Sequence, residues 1–389
     1  MSKKVEEWSV AKRYNPFNSY KLLGQIYKWR LIKRGNPLPQ PTLVTVDLQN
    51  LCDLKCIWCN SDYILKRRHQ KISKKTLFEI ADFLKKWLGT HHWEEGVEAV
   101  CIAGGGEALL HPDIGKFIHR LVNNGIEVGI VTNGTHLNKN LNALSKCTWI
   151  GVSVDAGTPE TFKKIKGKDK FDVVINNMRH LIEYSKYHNG RLAVDRPGYG
   201  ITYKYLLHPY NVNEIVQAVK IAKEIGCKNF HLRPMGIPWD KLKNGDTDTV
   251  FRSVDIKTFN RQIKEARKYE TPLFGVYGIT HKFDDKLNIA NIFSKCYAVF
   301  MTCVFMPATD GNQDHFTLGL CCDRRGDTRL ELGTNLDDVN KVTELWGSKK
   351  HWEIFDNIDI KTCPRCTYSE HSHIFEHVIL RDSMTYKFI

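Results

Sequence analysis

The sequence predicts an α/β protein, a partial (β/α)6 TIM-like barrel followed by a small cysteine-rich C-terminal domain. Three observations predict it. From residue 43 onward, short apolar runs alternate with amphipathic stretches, the pattern of βα units around a parallel sheet. Glycines and polar residues gather just after the apolar runs, on the edge where such sheets build their sites. After about residue 270 this rhythm stops, and six of the twelve cysteines follow between Cys296 and Cys366. A chain of 389 residues exceeds what one core usually serves. We therefore divide it into a basic arm (1–40), the barrel (41–270) and the cysteine-rich domain (271–389).

The arm carries nine Lys or Arg against two acids, half of the net excess of +14. In "YKLLGQIYKWRLIKR" apolar residues recur at Tyr20, Leu23, Tyr27 and Leu31, which predicts an amphipathic helix packed on the barrel. The sharper alternative is an electrostatic dock for an acidic partner. The runs "LKRRHQK" and "FKKIKGKDK" are expected to be solvated surface, with attraction for a phosphorylated substrate as the alternative. No apolar run reaches the roughly 18 residues of a membrane span, and the first residues lack the apolar stretch of a secretory signal. A cytoplasmic protein is expected, where thiols bind metal or do chemistry more often than they pair.

Six strands are expected in the barrel, in "TLVTVDL", "VEAVCIA", "IEVGIVT", "WIGVSVD", "GITYKYLL" and "NFHLRP". Between them, "KKTLFEIADFLKKWLG", "PDIGKFIHRLVNNG" and "VNEIVQAVKIAKEIG" repeat apolar residues at three or four and close on Gly, as helices do. Two more units would complete an eight-stranded barrel, but the sequence after residue 270 offers none in that rhythm. Cys101, Cys147 and Cys227 stand alone among apolar neighbours and are expected in the core.

The first strand runs into "CDLKCIWC", with Cys52, Cys56 and Cys59 separated by three residues and then two. Such a spacing should arise by chance about 0.01 times in a chain of this cysteine content. Three thiolates on one loop can ligate three corners of a cubane iron–sulfur cluster and leave the fourth iron open. Zinc is the rival, but a structural zinc site wants four closed ligands, and the nearest further candidate is His69 in a basic run.

A strand followed by C-x3-C-x2-C, with Trp58 before the last cysteine, resembles the radical S-adenosylmethionine superfamily over residues 43 to about 235. The resemblance implies a 4Fe-4S cluster on Cys52, Cys56 and Cys59, with S-adenosylmethionine on the open iron and cleaved to a 5′-deoxyadenosyl radical. "GGGEALLHP" is similar to the family's glycine-rich segment, which implicates Gly105, Gly106 and Glu107 in holding the methionyl amine. By the same resemblance Trp58, Asn133 in "VTNGT" and Ser153 in "VSVD" become cofactor contacts. Arg233 in "HLRP" would pair with the carboxylate of S-adenosylmethionine or an anion of the substrate. Taken as residues alone, Asn133 before Gly is also a turn signal, and Arg233 a candidate for a rim salt bridge.

Cys303, Cys321, Cys363 and Cys366 form C-x17-C-x41-C-x2-C, which resembles the shortened SPASM-type auxiliary-cluster domain called twitch; "DGNQDHFTLGLCCD" looks like its hairpin. Cys296 or Cys322 can replace a neighbour in that set, and four thiols also suit zinc. The resemblance implies an auxiliary 4Fe-4S cluster that handles electrons during oxidation, epimerisation or crosslinking of a small molecule or peptide. It also implies an electron donor such as flavodoxin or ferredoxin. The basic balance slightly favours an anionic substrate. A nucleic-acid-modifying radical enzyme and a non-catalytic zinc module are the alternatives, neither favoured.

Overall fold

The structure is a computed structural model that describes residues 9–17, 19–88, 96–235, 253–278, 293–363 and 366–381. The six expected strands form: β1 (Leu43–Val46), β2 (Ala99–Ile102), β3 (Glu127–Thr132), β4 (Trp149–Ser153), β5 (Gly200–Leu207) and β6 (Asn229–Pro234). Each pairs in parallel with the next. In β2 and β3 every second residue is deeply buried, so Val100, Ile102, Val128 and Ile130 turn outward under the helices. The intervening residues, Cys101, Gly129 and Val131, are less buried and line the inner face.

The helices repeat the expected stripes. Lys74–Lys86 buries Leu77, Ile80 and Leu84, and Ser73 caps its start by accepting from the Thr76 amide. Ile114–Asn123, Phe171–Tyr187 and Ile215–Glu224 bury Phe117, Met178 and Val219 in the same core. Pro159–Lys166 starts on a Thr158 cap with Pro at its first turn. It stops at Gly167, where φ is +69° and a Cβ would stand 2.9 Å from the Lys55 carbonyl.

The sheet extends beyond the expected six strands. β7 (Gly275–Gly278) adds in parallel to β6, and β8 (Thr302–Pro307) adds in parallel to β1, aligning Cys303 with Val44. β9 (Phe316–Gly319) and β10 (Glu331–Leu336) then continue antiparallel from β8, giving the order β10-β9-β8-β1-β2-β3-β4-β5-β6-β7. The sheet is therefore continuous across residue 270. β7 has four residues, two of them Gly, and the sequence before β8 carries no apolar repeat of the earlier rhythm, so periodicity gave no sign of either.

The arm differs from the expected helix. Ser19–Gln25 is a 3-10 segment and Ile26–Trp29 a single α turn. The tighter winding buries Leu22, Trp29 and Ile32, while Leu23 and Tyr27 are 58% and 44% exposed. Upstream, Phe17 stacks on His231 of β6 at 3.8 Å between ring centroids, and Arg13 donates to the Pro272 carbonyl. Among the described residues no helix is long and apolar enough to cross a membrane.

Candidate functional site

The cysteine loop leaves β1 and is clamped from two sides. On one side Lys55 and Ile57 donate their amides to the carbonyls of Lys166 and Ile165, at the end of Pro159–Lys166. On the other, the Glu107 amide donates to the Leu51 carbonyl at 2.7 Å, and Gln49 Nε2 donates to the Glu107 carbonyl at 2.9 Å. Gly106 permits this approach, because a Cβ there would lie 2.4 Å from the Leu51 carbonyl oxygen. Gly105 has φ +68° and faces Gln49 and Asp47. "GGGE" and the cysteine octet are thus one packed unit.

Asp53, inside the octet, ties the loop to the end of β3. Its carboxylate accepts from Asn133 Nδ2 at 2.7 Å and Thr135 Oγ1 at 2.8 Å. The same Asn133 Nδ2 stands 3.9 Å from Cys52 Sγ, so the amide touches a thiol. Glu107 is 3% exposed, and its Oε1 accepts from the Leu109 amide and the Thr132 hydroxyl. Oε2 accepts from the Asn133 amide at 2.7 Å, its one donor among the described residues. Burial pushes the Glu107 carboxyl up to about 7, against the pull of these hydrogen bonds. Trp58 leans on His208 beyond β5, with centroids 4.8 Å apart, and Ser153 ends β4 opposite Lys204.

Two buried ion pairs brace the site, and neither was expected. Lys166, from a run read as solvated surface, is 2% exposed and bonds Asp155 after β4 at 2.5 Å, beneath Cys56. Arg325, from the C-terminal segment, crosses to Asp47 at the end of β1, with Nε 2.5 Å and Nη2 3.1 Å from the two carboxylate oxygens. It also donates to the carbonyls of Ala103 and Cys322. A Cβ on Gly104 would collide with its guanidinium, so the first glycine of "GGGE" makes room for it. Asp47 at a strand end and "CCDRRGD" were the available signals; nothing in the sequence joins them.

In the second cysteine set, Cys296, Cys321, Cys363 and Cys366 line one pocket with Arg324 and Tyr368. Cys303 does not reach it. It is fully buried in β8 against the main core, and Cys296 stands in the lining in its place. Arg324 Nη1 points at Cys363 Sγ at 3.4 Å, and the Tyr368 amide at Cys366 Sγ at 3.3 Å. Cys322 turns away to Tyr368 Oη at 2.9 Å.

These donor sets fit thiolate-bound clusters. Burial pushes the thiols of Cys52 and Cys296 up to about 12 and raises those of Cys56, Cys59, Cys321 and Cys366, so a bound metal must take the place of their protons. Donors aimed at sulfur are what tune such a centre. Among the described residues no three Cys, His, Asp or Glu side chains converge tightly enough to hold a single metal ion. Four thiols lining one pocket are a donor set for an iron–sulfur cluster and for zinc alike.

Residues 46–195 match the family described as Radical SAM superfamily. A protein of Saccharolobus islandicus (strain M.14.25 / Kamchatka #1), "Probable GTP 3',8-cyclase", is 26% identical over 216 residues, 52% of this chain and 60% of the relative. The chain thus spans less than two thirds of the length of the first such relatives. The protein of that name from Saccharolobus solfataricus is 24% identical over 248 residues, 61% of this chain and 72% of the relative. Streptococcus suis SuiB bound to precursor peptide SuiA superposes with a TM-score of 0.58 at 14% identity, covering 90% of this chain and 74% of SuiB. anSMEcpe with bound AdoMet superposes at 0.52 and 15%, covering 86% and 88%. At these identities the two structures speak for the fold alone.

Proposed function

We propose, from the match of residues 46–195 to the Radical SAM superfamily, that Cys52, Cys56 and Cys59 hold a 4Fe-4S cluster. The chemistry such a cluster supplies when bound is reductive cleavage of S-adenosylmethionine to methionine and a 5′-deoxyadenosyl radical. The single observation that carries the assignment is the packing of the three-thiol loop directly on "GGGE". Gly105 and Gly106 offer backbone to the methionyl group, and Glu107 Oε2 an acceptor to its amine. Asn133, Ser153, Trp58 and Arg233 are the remaining candidate contacts.

Cys296, Cys321, Cys363 and Cys366 hold an auxiliary 4Fe-4S cluster in this reading, in the role of electron carrier. The net reaction is oxidation, epimerisation or crosslinking of a small molecule or peptide in the cytoplasm, with flavodoxin or ferredoxin as electron source. A nucleotide substrate is the second reading, supported by the relatives named probable GTP 3′,8-cyclase. The test is 5′-deoxyadenosine release by anaerobic, iron-loaded protein with a strong reductant. Release should disappear in the variant carrying Cys52→Ala, Cys56→Ala and Cys59→Ala; continued release from that variant would refute the assignment.

A further inference from the structure

The cysteine loop lies in an uneven field. On the Cys52 side stand two carboxylates, Glu107 and Asp53, and both act on that thiol. On the Cys56 side stands a cation, Lys166, whose charge reaches Cys56, Cys59 and Cys52. The backbone fixes this arrangement: the Lys55 and Ile57 amides donate to the carbonyls of Lys166 and Ile165 at 2.9 and 3.0 Å, so Cys56, between them, is held against the end of Pro159–Lys166. Lys166 is fixed as well. Its ammonium is buried and bonds the Asp155 carboxylate at 2.5 Å. Asp155 has φ +60°, a left-handed backbone that Asp tolerates better than most residues, and every part of it is engaged. Its Oδ1 accepts from the Leu206 amide at 2.7 Å, its amide donates to the Lys204 carbonyl, and its carbonyl accepts from Asn211 Nδ2 at 2.8 Å. The ends of β4 and β5 thus hold one carboxylate, and that carboxylate holds one lysine beneath the thiols.

A buried ion pair is weak evidence for stability, because the loss of hydration by both ions offsets their attraction. The position of this pair gives it another use. Buried charges act through a low dielectric, so a cation beside a redox centre favours the form with one more electron, and a carboxylate opposes it. Of the charges acting on Cys56, the Lys166 ammonium is the strongest and Asp155 the next. The pair is a dipole with its positive end toward the thiols.

We infer that Lys166, held by Asp155, is a positioning residue that raises the reduction potential of the cluster carried by Cys52, Cys56 and Cys59, and so eases its uptake of one electron from an external donor. The inference rests on the cluster assignment proposed above. It makes Asp155 the opposing control, since discharging the carboxylate should act in the direction opposite to discharging the lysine.

The test is a redox titration of anaerobic, iron-loaded protein, read by electron paramagnetic resonance without S-adenosylmethionine, for wild type, Lys166→Met, Lys166→Arg, Asp155→Asn and the double variant Lys166→Met with Asp155→Asn. The signal followed is the one missing when Cys52, Cys56 and Cys59 are all replaced by Ala. Iron per chain and circular dichroism report loading and fold. At a fixed potential, Lys166→Met should show a ratio of reduced to oxidised cluster about tenfold below wild type, about 59 mV for a one-electron couple. Asp155→Asn, which keeps a residue suited to the left-handed backbone, should show a ratio about threefold above wild type. Lys166→Arg should stay within about threefold of wild type, and the double variant should fall between the two single ones. A structural brace alone predicts damage of one kind in both single variants. Loaded variants with unmoved potentials, or with Lys166→Met and Asp155→Asn moving the same way, overturn the inference and leave the cluster assignment standing. If Lys166→Met takes up no iron, Asp155→Asn decides, and a ratio at or below wild type there overturns the inference. Wild type that takes up no iron, or a signal that survives loss of the three cysteines, overturns the cluster assignment and the inference with it.

Discussion

Replacing Arg325 by Met probes how the C-terminal segment is bolted to the barrel. The Arg325 and Asp47 side chains are 10% and 2% exposed, so the substitution strips a buried carboxylate of its counter-ion and leaves the carbonyls of Ala103 and Cys322 without that donor. Losing one partner of a buried pair costs about 3–5 kcal/mol. The cost should depend on pH. Burial already raises the Asp47 carboxyl against the pull of Arg325, and without the guanidinium it rises further. An acid with a raised folded pKa binds more protons folded than unfolded, so its stability falls as pH rises above the unfolded value of about 4. The deficit should therefore be larger at about pH 8 than at about pH 5. Asp47→Asn in the same background should recover most of it by discharging the site. Urea unfolding followed by tryptophan fluorescence and circular dichroism gives the free energies where the two probes coincide. A deficit below about 1 kcal/mol, as for an exposed pair, or one indifferent to pH, would refute the reasoning.

Gly106→Ala puts a Cβ 2.4 Å from the Leu51 carbonyl oxygen, so it should displace the cysteine loop. Iron per chain should fall by about half, on the count of two cubanes, with the circular dichroism of the fold retained. Cys296→Ala should likewise lose about half of the iron, while Cys303→Ala should keep all of it and lose only packing; equal iron loss in both would restore Cys303 as a ligand. Glu107, held at about 7 against an ordinary value of 4.5, makes the folded state the stronger proton binder between those values. The metal-free protein should lose stability as pH rises through that window, by at most about 1.4 kcal/mol per unit, and Glu107→Gln should abolish the slope in urea titrations.

Most of the barrel was legible because its strands and helices carry their own period. β1 to β6 lie where the apolar runs stand, and Ser73, Thr158 and Gly167 punctuate helices in local sequence. What escaped was non-local. β8 joins β1 across more than 250 residues, and the stretch that carries it has no repeat to announce a partner. The same holds for the site. Thiol spacing marked Cys52, Cys56 and Cys59, but Asp53, Asp47, Arg325 and Lys166 acquire their roles only through partners far along the chain. Lys166 shows why composition misleads, since one lysine of a basic run is buried because Asp155 waits for it. In the second set, spacing does not separate Cys296 from Cys303; the strand register turns Cys303 into the core, and Cys296 lines the pocket with the other three thiols.

The central claim is a cluster on the first cysteine loop with an iron open to S-adenosylmethionine. Electron paramagnetic resonance of anaerobic, reduced protein, before and after adding S-adenosylmethionine, tests it most directly. The account predicts a reduced-cluster signal that shifts on addition, and loss of the shifting component alone when Cys52, Cys56 and Cys59 are replaced by Ala. Zinc in place of iron at that loop, or a signal that ignores S-adenosylmethionine, would contradict it.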